Sequence, residues 1–426
     1  MALERYTMPN GLTIYNDSID SARTNSVRMY VPYGSYHEQP GHEGIAHVFE
    51  HSLFLQTEEF KTEIGFDRFA KLHGMDHNAI TSYTDTNYMF GTLHLDPSFH
   101  CLSQLLRHAQ FSDGPITHEL KAIRRELADQ MGDIELVHEL ATNNAMFGLP
   151  FGRDIGGLHK NIDFSTSDIE QLYRRYYQIG HMSLIVTGKA HLDEIIELAD
   201  RYFGDAPAPT TAPATVPHAQ PGAAYHTGTI VKFLESAHIS LSYPLTGDLY
   251  NTVAGNTLLY SMAESAMSDH AFERLRQDEG LSYDGSIEID LKHRHASLIG
   301  GDVTTDANDV PHAVDVLHEV FTKPSQQYSD DQLIGTLANH AFLLNKTYSS
   351  EGARMSRIVQ SLGEDTPLTD LDDDLRQVEA ITIDDIRNAI DTIVNHTSTT
   401  QPYIHVTGNK KAVGKADRII KPKEVM

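Results

Sequence analysis

The chain has 426 residues, 40% of them hydrophobic, so two or three domains with real cores are expected. A formal charge of −26 argues against a nucleic-acid or anionic-membrane partner, because both would be repelled. The sequence contains no run of about 18 apolar residues, so no membrane span is predicted. Cys101 is the only cysteine, which excludes an intrachain disulfide and a thiolate zinc cluster.

Alternating or β-branched runs predict strands, and apolar residues at helical spacing predict helices. The mixture of both in each half of the chain predicts an α+β fold built in layers. In chain order the predicted elements are strand 26–31, helix 43–55, strand 88–95, helices 117–135, 168–177 and 192–202, strand 238–243 and helix 256–275.

One segment of the sequence is predicted to be a linker between two domains. Residues 205–222 read DAPAPTTAPATVPHAQPG, a proline-rich stretch without periodicity that favours extended geometry. It divides the chain almost in half. We therefore predict an N-terminal domain at residues 1–204 and a C-terminal domain at residues 223–426.

The two halves end alike, which predicts an internal duplication. Helical stretches at 167–177 and 384–394 are each followed by a strand-like run that contains Val-Thr-Gly. The two triplets lie 220 residues apart at the same stage of each half. Two homologous domains are therefore expected.

The first half contains the sequence His47-Val48-Phe49-Glu50-His51. If residues 43–55 form a helix, His47 and His51 lie one turn apart on one face and can reach one ion. Two neutral imidazoles suit zinc, and Glu50 can take a proton from a zinc-bound water. Because the chain has 25 histidines, these five residues alone do not establish a metal site.

Two histidines leave a zinc ion without enough ligands, so a third ligand is needed. The predicted helix 117–135 carries Glu119 and Glu126, seven residues and about 20° apart on the helix wheel. Glu126 can complete a two-histidine, one-glutamate site that leaves a position open for water. Glu119 would then support a ligand or a water.

An H-x-x-E-H helix followed by a helical Glu-x6-Glu is the pattern of the inverzincins. At this point the chain resembles the pitrilysin–insulysin–mitochondrial processing peptidase family, and Glu126 follows His51 by 75 residues, close to that family's spacing. The matching blocks are Pro9-Asn10-Gly11-Leu12, Gly34-Ser35 with Glu38, Gly44-Ile45-Ala46, Gly74, Asn78-Ala79, Thr81, Thr86, Tyr88, Phe272, Leu275-Arg276 and Gly280-Leu281-Ser282-Tyr283.

The resemblance implies a role for each site residue. His47, His51 and Glu126 would be the zinc ligands, with Glu50 as the general base and Glu119 supporting the metal site. Substrate contacts are implied as well. Asn78 and Ala79 would lie on an edge strand that binds substrate backbone, and Arg276 and Tyr283 would contact the substrate carbonyl.

The resemblance also implies an assembly. Long members of the family carry four homologous domains, and this chain has the length of two. Arg276 and Tyr283 would therefore reach the zinc of another subunit, in a dimer that encloses a chamber. Homodimer and heterodimer both remain open. The second half has no H-x-x-E-H around residues 260–269, so one zinc per chain is expected.

The leading hypothesis is a zinc endopeptidase for peptides or unfolded segments. A catalytically silent assembly subunit is the first alternative, although all four key residues are present here. A zinc hydrolase for a non-peptide bond is the second, and the block around Asn78 argues against it. The N-terminus shows no secretory leader, so the simplest expected location is cytoplasmic.

Overall fold

The first half of the chain builds one mixed sheet, in the order β1-β2-β6-β3-β5-β4. In this computed structural model, which describes residues 3–219 and 222–426, only β2 and β6 of that sheet pair in parallel. Its strands are β1 Glu4–Thr7, β2 Thr13–Ser18, β3 Asn25–Val31, β4 Asp76–Thr81, β5 Thr86–Thr92 and β6 Ser183–Gly188.

The sheet of the second half has the order β12-β7-β11-β8-β10-β9, and its last five strands repeat the topology of β2-β6-β3-β5-β4. The parallel pair recurs as β7 and β11, and β12 extends that edge, also in parallel. The predicted α+β fold is therefore confirmed, and the structure shows two mixed, largely antiparallel sheets packed with helices. The strands are β7 His226–Ile230, β8 Ser236–Leu245, β9 Gly285–Asp290, β10 Ser297–Asp306, β11 Tyr403–Gly408 and β12 Arg418–Ile419.

Helices cover the sheets. The first half contributes α1 Ile45–Leu55, α2 Glu63–Leu72, α3 Leu95–Arg107, α4 Asp113–Gln130, α5 Ile134–Phe147, α6 Thr166–Tyr176 and α7 Leu192–Phe203. The second contributes α8 Gly247–Ala254, α9 Thr257–Phe272, α10 Val310–Thr322, α11 Asp330–Thr347, α12 Glu351–Glu364, α13 Leu371–Ala380, α14 Ile383–Thr397 and α15 Lys410–Val413. No helix of the described residues combines the length and the apolar character needed to cross a membrane.

Most predicted bounds differ from the structure by one or two residues, and three elements differ by more. The predicted helix 117–135 is wrong as one element: α4 ends before Gly132, and Asp133 starts α5 by accepting a hydrogen bond from Leu136 N–H at 3.1 Å. The predicted strand 88–95 ends at Thr92. The predicted helix 256–275 is α-helical only to Phe272, and a π-helical turn follows at Glu273–Asp278.

One helix of each half packs on the sheet of the other half. Helix α5 of the first half packs on the second sheet, where Val137 and Leu140 join a buried apolar cluster with Ile420 and Val425. Helix α12 of the second half packs on the first sheet, with Met355 and Ile358 against Tyr15, Tyr30 and Ile185. Each half therefore depends on the other to cover one face of its sheet.

A buried polar network accompanies the docking of α5. His138 bonds the hydroxyl of Thr407 at 2.9 Å through Nδ1 and that of Ser240 at 2.8 Å through Nε2. All three residues are buried. Because a buried polar group is costly unless it is paired, this network fixes the position of α5 on the sheet.

The predicted linker contains no helix or strand in its described residues. Gln220 and Pro221 lie outside the described residues. The division into domains at 1–204 and 223–426 stays a prediction.

Replacement of Leu140 by alanine should destabilise the protein by about 2–5 kcal/mol, because the fully buried side chain leaves a cavity between α5 and residues 420–426. The matched change Leu72→Ala removes a side chain that is 75% exposed, so about 0.5 kcal/mol or less is expected. Urea unfolding of both variants measures the difference. Equal losses would contradict the docking of α5.

Candidate metal centre

The N-terminus of α1 is fixed by Gly44 and Glu38. Gly44 has φ +96°, and a Cβ there would lie 2.2 Å from the carbonyl oxygen of Gly156, so only glycine fits. The Glu38 carboxylate accepts hydrogen bonds from Gly44 N–H at 2.9 Å and Ala46 N–H at 2.8 Å. A carboxylate at this end of a helix satisfies free N–H groups and complements the helix dipole.

Glu38 in turn pairs with Arg153, and both side chains are fully buried. Arg153 also donates to the carbonyl oxygens of Ser35 at 2.7 Å and Asp154 at 3.2 Å. Burial raises the pKa of Glu38, and the charge of Arg153 and the two N–H groups oppose that rise. The pair therefore ties the start of α1 to the segment that follows α5.

Helix α1 then places His47 and His51 one turn apart, with their Nε2 atoms 3.2 Å from each other. Glu126 of α4 approaches from the facing helix, with Oε1 3.8 Å from His47 Nε2 and Oε2 3.9 Å from His51 Nε2. Within the described residues this is the one group of three histidine, cysteine or carboxylate side chains close enough to hold a single ion.

The pKa values of the two histidines are shifted in opposite directions. Burial, together with the charge of the neighbouring His51, lowers the pKa of His47 to about 4. At neutral pH His47 is therefore uncharged, which is the form that coordinates a metal. Burial alone would lower the pKa of His51, but its hydrogen bond to Glu119 and the nearby carboxylates raise it above the usual value.

Glu119 lies behind His51. Its Oε1 is 2.8 Å from His51 Nδ1, and this hydrogen bond lowers the pKa of Glu119. A carboxylate on Nδ1 fixes the imidazole so that Nε2 points towards His47 and Glu126. Glu119 is therefore placed to support a ligand.

Glu50 lies beside the histidines and is only 8% exposed. Its Oε2 accepts a hydrogen bond from Thr81 Oγ1 at 2.7 Å, which links α1 to strand β4. Burial raises the pKa of Glu50, and the Thr81 hydrogen bond and the charge of His51 oppose the rise. A buried carboxylate with a raised pKa is a suitable proton acceptor.

The donor set fits zinc. The two histidine Nε2 atoms are 3.2 Å apart and each lies 3.8–3.9 Å from one oxygen of Glu126, which matches ligands of one ion with bonds of about 2.0–2.2 Å. Two imidazoles and one carboxylate are the ligand types of catalytic zinc sites, which keep a further position open. The described residues therefore fit a zinc ion.

A cavity of about 590 Å³ lies at the candidate metal centre and is lined by the side chains of His47, Glu50, His51, Glu119 and Glu126. Asn78 and Ala79 line the same cavity and lie on β4, the last strand of the sheet order, so its outer edge has no partner strand within the described residues. Asn78 Oδ1 accepts a hydrogen bond from Ala79 N–H at 2.9 Å.

Arg276 and Tyr283 do not line this cavity. Arg276 lies in the π-helical turn, and its guanidinium is 4.2 Å from the ring centre of Tyr283. Tyr283 is 79% exposed. The structure therefore brings seven of the nine predicted site residues together and leaves these two on the surface of the second half. The roles assigned to all nine residues stay predictions.

Sequence reasoning missed the segment 152–157, of which Asp154 and Gly156 line the cavity. It also missed that Thr81 holds Glu50. The closely spaced glycines of Gly-Arg-Asp-Ile-Gly-Gly were a usable signal, since such glycines mark close backbone approach. A Cβ on Gly156 would lie 2.5 Å from Leu127 and 3.2 Å from His47 Nδ1.

The H-x-x-E-H sequence on α1 and the facing Glu126 of α4 match the pattern of the inverzincin metallopeptidases. The family described as "Insulinase (Peptidase family M16)" matches residues 14–157, and its companion "Peptidase M16 inactive domain" matches residues 163–334. The chain belongs to the M16 family of peptidases.

Relatives and solved structures agree with this placement. The chain is 28% identical over 52% of its length to insulin-degrading enzyme-like 1, peroxisomal, of Arabidopsis thaliana, but the match spans only 24% of that relative. It is 25% identical over 66% of its length to the zinc protease YmxG of Bacillus subtilis, spanning 68% of it. It is 29% identical over 49% of its length to the mitochondrial-processing peptidase subunit beta of Neurospora crassa, and the match spans 44% of that relative.

Two solved structures share the fold at low identity. A protease from Helicobacter pylori superposes with a TM-score of 0.78 at 16% identity, covering 95% of this chain and 99% of that one. A peptidase M16 inactive domain from Pseudomonas fluorescens superposes with a TM-score of 0.80 at 13% identity, covering 96% and 98%.

Replacement of Arg153 by methionine should destabilise the protein by about 3–5 kcal/mol, because it leaves the fully buried Glu38 carboxylate without its cation. The control Arg68→Met changes an exposed arginine of α2 and should cost about 0.5 kcal/mol or less. Urea unfolding at neutral pH measures both. A loss for Arg153→Met no larger than that of the control would show that the pair does not hold α1 in place.

Proposed function

We propose that the chain is a zinc-dependent endopeptidase that hydrolyses peptides or unfolded segments, one zinc per chain. The observation that carries the proposal is the convergence of His47, His51 and Glu126 beside the buried Glu50 in one cavity. Membership of the M16 family supports peptidase chemistry, and the name of the Bacillus relative includes zinc.

His47, His51 and Glu126 would hold the zinc ion. When bound there, zinc supplies Lewis acidity that lowers the pKa of a water and polarises the substrate carbonyl. Glu50 accepts the proton of the attacking water at its carboxylate and passes it to the leaving amine. Thr81 keeps one oxygen of Glu50 fixed, so that the proton acceptor does not turn away from the metal.

The substrate would bind along β4 as an added strand. The outer edge of β4 borders the cavity, and added strands are recognised through main-chain hydrogen bonds. An incoming strand that takes the N–H of Ala79 must displace the side chain of Asn78, which accepts its hydrogen bond here. Recognition of the main chain suits a peptidase that accepts varied sequences in extended form.

Completion of the site would require a second subunit. Arg276 and Tyr283 lie outside the cavity of their own chain, so we propose a dimer in which each chain provides them to its partner's zinc. There they would stabilise the negative charge that develops on the substrate carbonyl oxygen. We propose a cytoplasmic location for this assembly.

A partner-dependent or silent subunit of a heterodimer is the second candidate. The Neurospora relative carries the word "subunit" in its name, which favours an assembly of unlike chains. Under this hypothesis the purified chain alone would bind zinc but would not cleave peptides.

Replacement of Glu50 by glutamine should lower the rate of peptide cleavage by about 10²–10⁴-fold, because the general base is lost while the three zinc ligands remain. Quenched fluorescent peptides measure the rate, and metal analysis checks the zinc content of each preparation. Removal of zinc with a chelator should abolish cleavage, and added zinc should restore it.

The matched control Glu170→Gln changes a partly exposed glutamate of α6 whose one ion pair within the described residues is with Arg174, and it should cleave at the native rate. Cleavage that survives Glu50→Gln would refute the assigned base. A native chain that holds zinc and cleaves nothing would favour the second candidate.

A mixture of two inactive variants tests the proposed dimer. Glu50→Gln and Arg276→Ala should each cleave poorly alone. After unfolding together and refolding at equal amounts, mixed dimers carry one intact site, and about a quarter of the native activity should return. No recovery, with mixed dimers shown to form, would contradict the supply of Arg276 by the partner chain.

A further inference from the structure

Asp154 is held rigidly at the wall of the metal cavity. Its N–H donates to the carbonyl oxygen of Val425 at 2.7 Å, and its carbonyl oxygen accepts from Arg153 Nη1 at 3.2 Å. Its carboxylate oxygen Oδ1 accepts from Gly156 N–H at 2.7 Å. The residue is buried, and none of these contacts uses its second carboxylate oxygen.

His47 has an unsatisfied polar atom on the same side. Its Nδ1 is buried and has no hydrogen-bond partner among the described residues. The point where a Cβ on Gly156 would stand lies 3.2 Å from this Nδ1 and 3.0 Å from Asp154 Oδ1. Asp154 and the free nitrogen of His47 therefore border the same narrow gap, which exists because residue 156 is glycine.

The other histidine shows what such a nitrogen requires. An imidazole that gives the lone pair of Nε2 to a cation carries its proton on Nδ1, and a buried N–H without an acceptor is costly. His51 meets this requirement with the Glu119 carboxylate at 2.8 Å. His47 Nδ1 has no equivalent partner among the described residues.

We propose that Asp154 is the positioning residue of His47. Its carboxylate accepts the Nδ1–H of His47 when Nε2 coordinates the metal, so each histidine is oriented by its own carboxylate. This inference rests on the proposed zinc site and extends it. It adds that residues from the second half, through the Val425 carbonyl, hold the group that orients a ligand in the first half.

The competing explanation is that Asp154 only closes the turn at residues 154–157 by accepting from Gly156 N–H. Asp154→Asn separates the two, because the amide oxygen can still accept from Gly156 N–H while the negative charge is lost. Asp154→Ala removes both functions. A purely structural role would therefore leave zinc affinity unchanged in Asp154→Asn, and only Asp154→Ala would unfold at a lower temperature.

The test measures the zinc dissociation constant of the full chain by competition with a chromophoric chelator at neutral pH. Asp154→Asn and Asp154→Ala should each bind zinc about 10- to 100-fold more weakly than the native chain. The control Asp193→Asn, an exposed aspartate of α7, should bind like the native chain. Thermal unfolding of the metal-free proteins reports the structural contribution separately.

Zinc affinity of Asp154→Asn within about threefold of the native value would overturn the inference, even if Asp154→Ala were weaker, because loss of the charge would then be tolerated. Should Asp154→Ala not fold, Asp154→Asn alone decides. A native chain that binds no zinc would remove the proposed function and this inference together. Zinc binding by the native chain with unchanged Asp154 variants would remove only the inference.

Discussion

The Glu38 carboxylate and the Arg153 guanidinium meet with both side chains fully buried, and the geometry of the metal centre depends on that contact. Two charges removed from water are costly, and the cost is offset only when their remaining hydrogen-bonding groups are satisfied. Here the N–H groups of Gly44 and Ala46 complete Glu38, and two backbone carbonyls accept from Nη1 and Nη2 of Arg153, whose buried Nε has no partner among the described residues. The contact therefore sets the direction in which α1 leaves its first turn, and with it the positions of both histidines.

The exchange of α5 and α12 extends this dependence to the whole chain. Helix α4 carries Glu126 and runs into α5 after three residues, and α5 is packed on the second sheet. The first half therefore provides every side chain around the candidate zinc, but it does not fix them alone. In return α12 covers the open face of the first sheet, where Arg354 pairs with the buried Asp17. Neither half has a complete core without the other.

The sequence predicted local features well and distant contacts poorly. The helix of His47 and His51, the helix of Glu126 and the mixture of strands and helices follow from periodicity and motif spacing, and the structure places these three side chains together. The break before α5 was missed because the apolar spacing continues across Gly132. The Glu38–Arg153 pair joins residues 115 positions apart, and no local pattern indicates such a partner. The exchange of helices is likewise a property of tertiary packing.

A comparison of the two halves also indicates why only one of them is expected to hold metal. Helix α9 has the position in the second half that α1 has in the first half, next to the strand at the sheet edge. Its inward positions are the buried Met262, Ala263, Ala266 and Met267, so the packing there is apolar. Beyond α9, Arg276 stacks on the exposed Tyr283. An exposed pair of this kind contributes only about 0.5–1 kcal/mol to folding. It is therefore accessible to a substrate or to a second subunit, in line with the proposed dimer.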